Sequence, residues 1–286
     1  MLIVDAQVHI WGLDTPQRPW PKYAGGEIPI PPHLPVPLTP ESLLPEMDKL
    51  GISRVLLIPP SWEGDRNDLV LAGAQRYPDR FRAVGRLNLE APEAREQLAH
   101  WMEQPGMLGL QLNFQKAPFD QALVEGHVDW VWPVAERAGV PINVYAQHRH
   151  LHIFERAAER HPGLKLLINH FALTGTKKNA DAFAEFDKLL ALSKRPNIAV
   201  KASCMPFYTT EKYPFPSLHP YLRQVYDAYG PKRMFWGTDL SRLPCSWREG
   251  LTFFTEAIPW FTAEDKEWIM GRGVCEWHGW PLPAAR

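Results

Sequence analysis

The feature that most constrains this chain is an alternation. Short apolar runs rich in strand-forming residues recur along its 286 residues, separated by longer segments of helical periodicity. The runs fall at 2–5, 54–59, 81–87, 108–114, 141–146, 165–170, 198–203 and 234–239. Several are apolar at consecutive positions, the pattern of a parallel strand covered on both faces. The segments at 40–50, 67–77, 92–104, 128–138, 151–160, 181–192, 220–229 and 249–258 read as helices. Thr39 and Ser42 cap the first and Gly51 ends it, while Gly139 and His161-Pro162-Gly163 stop two others. Such βα alternation calls for parallel strands joined by right-handed crossovers. Eight units in about 250 residues fit a closed (β/α)8 barrel of the TIM type better than an open doubly wound sheet. No GxGxxG follows the first strand to favour a dinucleotide site. The expectation is one domain spanning 1–286.

One segment breaks the rhythm and makes the expected barrel a distorted one. Residues 12–40 include WPKYAGGEIPIPPHLPVPLTP, and so many prolines remove backbone donors and hold the chain extended. As the first βα loop this segment leaves from the C-terminal mouth, where barrels of this kind bind ligands. It reads as a stiff lid or wall carrying Trp11, Trp20 and Tyr23. The tail from Cys275, with Trp277 and Trp280, is expected to pack as a plug.

Charge narrows the function classes. Lys plus Arg (31) and Asp plus Glu (32) nearly cancel, which favours neither nucleic acid nor an anionic membrane as partner. No apolar stretch approaches a bilayer span, and MLIVDAQVHIW lacks the pattern of a signal peptide. Three widely spaced cysteines form no disulfide framework or zinc-finger spacing. The expectation is a cytoplasmic protein acting on a small molecule, with aromatic-rich loops that suit self-association into a homo-oligomer.

In such a barrel the polar residues at the C-terminal strand ends converge on one pocket. Strand 1 supplies Gln7 and His9 on one face, and strand 2 supplies Ser61. Strand 4 supplies Gln111 and Asn113; strand 5 supplies Tyr145, with Gln147 and His148 beyond it. Strand 6 ends in Asn169-His170, strand 7 offers Lys201 and Ser203, and strand 8 ends in Thr238-Asp239. Asp5 reads as structural, anchoring neighbouring backbone. His148, His150 and His152 read as solvated surface, Cys204 as an inert thiol without a histidine partner, and Trp11 and Trp62 as pocket lining.

Four fragments, IVDAQVHIW, LLINHFA, IAVKAS and MFWGTDLSRLP, span almost the whole chain in order. With them the sequence resembles the amidohydrolase-2 branch of the amidohydrolase superfamily, the group that includes pyrone-dicarboxylate and sugar lactonases. The resemblance implies a (β/α)8 barrel that hydrolyses a lactone, ester or amide. It makes Asp239 the base toward the attacking water and His170 the group that polarises the carbonyl. It makes His9 the second histidine of the family's HxH motif and Lys201 a stabiliser of negative charge on the substrate. Gln7, Ser61, Asn113, Tyr145, Gln147, Trp11 and Arg242 are the expected substrate contacts.

Two departures bear on chemistry. Gln7 stands where the family has the first histidine, and strands 4 and 5 offer no strong zinc ligand. The expectation is therefore no cofactor and no metal. The alternative is a hydrolase or decarboxylase using Zn²⁺ or another divalent ion, held by His9, Asp239 and His170. Phe171-Ala172-Leu173 follow His170 where the pyrone-dicarboxylate enzyme places an arginine, leaving Arg86, Arg149 or Arg242 as substitutes for binding a carboxylate. A third reading is a non-catalytic small-molecule-binding barrel.

Overall fold

The computed structural model describes residues 1–21 and 33–284; Tyr23 lies outside them. Eight parallel strands follow in sequence order around the sheet: β1 (Val4–His9), β2 (Arg54–Ile58), β3 (Phe81–Gly85), β4 (Met107–Phe114), β5 (Ile142–Ala146), β6 (Leu166–Ile168), β7 (Ile198–Ser203) and β8 (Met234–Gly237). Helical segments lie between consecutive strands, as the alternation requires. The strands form a nearly closed (β/α)8 barrel. The Pro40–Leu50 and Leu151–Arg160 helices match their expected bounds. The Thr39–Ser42 capping box and left-handed Gly51 (φ 73°) punctuate the first as its sequence indicates. The 181–192 segment is broken into Asn179–Ala182 and Phe186–Ala191, and a helix at Phe119–Val124 has no counterpart in the periodicity. No helix among the described residues is long and apolar enough to cross a membrane.

The seam between β8 and β1 closes through side-chain chemistry. The Asp5 carboxylate accepts from Gln7 N (3.1 Å), Thr238 N (2.8 Å), Trp247 Nε1 (2.9 Å) and the Thr238 hydroxyl. Asp239 N donates to Gln7 O across the same seam at 2.8 Å. Gly237 permits the approach, since a Cβ there would stand 3.2 Å from Gln7 N. Asp5 is thus the structural anchor its position in the strand indicated. Burial pushes its carboxyl up to about 6, and the four donors pull against that rise.

β1 also carries the irregularity that aims the site. Asp5 pairs with Val55 but Val8 with Leu57, so three steps on β1 oppose two on β2. That extra residue resets the two-residue alternation. Val4 and Ala6 accordingly belong to the barrel interior, whereas Val8 and Ile10 pack into the outer core beneath the helices. Without the bulge Gln7 and His9 would face the helices. The strand runs to His9 rather than stopping at residue 5 as its apolar pattern indicates, because β2 pairs with it that far. The opposite barrel end is plugged by the tail: Trp280 joins the interior core, Arg54 covers its ring at 4.6 Å, and Arg54 Nη1 donates to Pro281 O at 2.7 Å.

Candidate active site

β6, β7 and β8 each end in a sharp left-handed turn at a non-glycine residue. His170 has φ 52°, Cys204 φ 58° and Asp239 φ 53°, and Phe171 and Ala172 continue the turn after β6. Left-handed backbone at a residue with a Cβ is unfavourable by roughly 1–2 kcal/mol, and such strain concentrates at functional sites. These turns end β6 and β8 earlier than their apolar runs and swing His170 and Asp239 toward each other. His148 Nε2 bonds Phe171 O at 3.0 Å and supports the first of them. This corrects the solvated reading of the histidine loop: His148 and His150 are buried and only His152 is exposed. The short helical turn His148–His150 folds that loop back against β6.

Asp239 is the hub. Its Oδ1 lies 3.2 Å from His9 Nε2 and its Oδ2 lies 3.9 Å from His170 Nε2, with the carboxylate almost wholly buried. The His9 contact is close but poorly directed, and Oδ1 has no hydrogen-bond partner among the described residues. Burial works to raise this carboxyl; the facing His9 when its Nε2 carries a proton, then His170 and Arg242, overcome it and hold the group well below the usual carboxylate range. Asp239 is therefore ionised at neutral pH and has an oxygen free to take a proton.

His170 is enclosed, and burial lowers it to about 4 against the opposing pull of Asp239, so it is neutral at pH 7. Ser203 Oγ stands 2.8 Å from its Nδ1 and the Ser203 carbonyl 3.4 Å away. A serine hydroxyl donates or accepts, so it is compatible with a proton on the Nε2 that faces the site. Tyr145 packs edge-on to the His170 ring at 4.8 Å, and its hydroxyl donates to Leu173 O at 2.9 Å.

Lys201 lies deeper than its expected role requires. It is fully buried and its Nζ donates to Gln7 Oε1 at 2.8 Å. Burial lowers it to about 7, with Asp239 and Asp5 pulling upward. It meets a neutral amide in the barrel interior rather than projecting to a substrate position. Gln111 and Asn169 likewise satisfy each other, Asn169 Nδ2 donating to Gln111 Oε1 at 2.7 Å.

The other expected contacts divide. Trp11 sits edge-on behind Trp62 (5.3 Å), which backs the His9 ring at 6.5 Å, so Trp62 is the nearer wall. Arg242 is half-buried beside Asp239, with its guanidinium 4.8 Å from the Phe207 ring. Asn113 Oδ1 accepts from Gln115 N, and Gln147 Nε2 donates to Gln115 O, so both amides are engaged by the loop after β4. Ser61 opens the Ser61–Glu63 turn after β2. Arg149 is exposed on Asp120 at 3.1 Å. Trp20 turns back on its own loop, donating to Gly12 O at 3.0 Å. Glu63 fastens that loop, receiving Gly12 N (2.7 Å) and pairing with Arg18 and Arg66 (2.9 Å each).

His33 escaped the sequence reading. It stands edge-on to Trp62 at 5.0 Å, with Nδ1 3.1 Å from Ser241 Oγ, and burial lowers it to about 4. The available signal was a histidine in the long first βα loop, which leaves from the barrel mouth.

A family model described as Amidohydrolase matches residues 4–283. The chain belongs to the amidohydrolase family. It is 27% identical over 255 residues to L-fucono-1,5-lactonase of Burkholderia ambifaria, covering 84% of this chain and 81% of that protein. A zinc-bound amidohydrolase from Burkholderia multivorans superposes with a TM-score of 0.78 at 20% identity, covering 98% of this chain and all of the other. A probable 2-pyrone-4,6-dicarboxylic acid hydrolase from Acinetobacter baumannii, with citric acid bound, gives 0.77 at 17% over the same shares. At such identity the two structures show a common fold.

A catalytic zinc takes about three good protein ligands, and of the residues expected to hold one, His9 and His170 flank Asp239 at 3.2 and 3.9 Å. Among the described residues no three His, Cys, Asp or Glu side chains converge to hold an ion. His9 and Asp239 make one pair, and Gln7 turns its ligating oxygen to Lys201.

Proposed function

We propose that this amidohydrolase hydrolyses a small lactone or related ester, with Asp239 activating the water. The observation that carries this is the buried, ionised Asp239, whose Oδ1 lacks a directed donor between His9 and His170. A carboxylate in that state accepts a proton from water as the water oxygen bonds to the carbonyl carbon. Neutral His170, with Ser203 on Nδ1, is placed to donate from Nε2 to the carbonyl oxygen as charge develops there. Arg242 and His33, both half-buried, form the rim that meets the rest of the substrate, with buried Trp62 behind His33. The similarity to a fuconolactonase supports the lactone class.

The same reading takes residues 1–286 as one domain acting in the cytoplasm on a small molecule, since Cys204, Cys245 and Cys275 are all unbridged. The test is a panel of sugar, aromatic and aliphatic lactones followed by acid release, wild type against Asp239→Asn. Acid release by the wild type alone supports the reading; silence across the panel favours a binding barrel.

A further inference from the structure

Four groups in the barrel interior form a hydrogen-bonded chain: Lys201, Gln7, His9 and the Ile58 carbonyl. Lys201 Nζ donates to Gln7 Oε1 at 2.8 Å, and in its charged form it has donors only. The Gln7 NH2 then points the other way and lies 3.4 Å from His9 Nε2. An NH2 group donates, which favours a lone pair on that nitrogen. The other His9 nitrogen, Nδ1, lies 2.9 Å from Ile58 O, a carbonyl that only accepts, so the proton belongs on Nδ1. Gln7 and Ile58 thus ask for the same tautomer, against Asp239 Oδ1, an acceptor 3.2 Å from the same Nε2.

We infer that Lys201 and Gln7 form a positioning relay that holds His9 with its proton on Nδ1 and its Nε2 lone pair beside Asp239 Oδ1. Two acceptors 3.2 Å apart repel unless a donor serves both. On the hydrolytic reading, on which this consequence rests, that donor is the attacking water. One of its hydrogens goes to Asp239 as its oxygen bonds to the carbonyl carbon, while the other is held by His9 Nε2. The positive charge of Lys201 thus acts through an amide, which gives Gln7 a use of its own. Gln7 and Lys201 lie 194 positions apart in the chain, so only closure of the barrel brings them together.

The test reads the tautomer directly. In nitrogen-15 spectra of the full chain, with the His9 signals assigned by their loss in His9→Asn, the wild type carries its ring proton on Nδ1. Lys201→Met keeps the length of the side chain and removes the buried donor, with folding checked by its melting temperature. It frees the Gln7 amide to turn its oxygen toward His9, and the expected result is a proton on Nε2. The same variant loses about tenfold or more in kcat while KM stays within about threefold, as for a group acting on the reacting step rather than on binding. A wild-type His9 protonated on Nε2 overturns the relay. So does a Lys201→Met protein with wild-type ring signals and turnover. If no lactone is hydrolysed, the function is wrong while the wild-type spectrum still decides the relay.

Discussion

Replacing Asp239 by asparagine removes a base while leaving almost everything else that the residue does. Asp239 sits at φ 53°, and asparagine is among the few residues that tolerate this region. Alanine there adds backbone strain of roughly 1–2 kcal/mol, which would blur the result. The backbone bond from Arg242 N to Asp239 O (2.7 Å) is unaffected, and the near-isosteric asparagine amide fills the same space 3.2 Å from His9 Nε2. The folded variant is therefore expected to retain its melting temperature within a few degrees. What disappears is the proton acceptor, and a positioned general base is worth about 10²–10⁴ in rate. At 1.36 kcal/mol per factor of ten, the activation barrier rises by about 3–5 kcal/mol. The assay is acid release from whichever lactone the wild type turns over best, with kcat and KM measured separately. A folded Asp239→Asn protein with kcat within about threefold of wild type would refute the assignment of the base.

Three further outcomes follow from the same geometry. Asp5→Ala strands four buried donors at the β1–β8 seam, and at about 1 kcal/mol or more each the protein loses about 4 kcal/mol in urea unfolding; a loss under about 1 kcal/mol contradicts the clamp. Because His170 and His278 are lowered to about 4 and about 3, the folded state resists protons that the unfolded state binds, and stability falls as pH drops below the ordinary histidine value of 6.5. Asp5, raised from 3.8 to about 6, opposes this by binding a proton in the folded state. These three groups together contribute a loss of about 4 kcal/mol by pH 4, read by denaturation at a series of pH values, and acid-insensitive stability would contradict it. Gln7→His offers a second imidazole beside His9 and Asp239, so zinc affinity measured by calorimetry should rise about tenfold or more; an unchanged affinity would show that Gln7 does not limit metal binding.

The strand ends were legible in the sequence because burial on both faces leaves a continuous apolar run, and a polar residue closing such a run stands out. His9, His170 and Asp239 were found in this way. Lys201 was found too, but its partner was not: a lysine in a strand does not reveal whether it reaches a substrate, a carboxylate or an amide. The histidine loop misled for a related reason. Its i, i+2, i+4 spacing is that of an exposed segment, and only the left-handed turn after β6, with the Phe171 carbonyl it offers, draws His148 inward.

The sequence alone determined the order of elements, the barrel and which residues stand at its mouth, since periodicity and local punctuation are properties of neighbours along the chain. Tertiary structure decided the direction in which those residues point. The bulge in β1 arises from pairing with β2 and turns Gln7 and His9 inward, the left-handed turns bring Asp239 against both histidines, and closure sets Lys201 on Gln7. Each depends on contacts between segments distant in sequence, where no local pattern records the outcome.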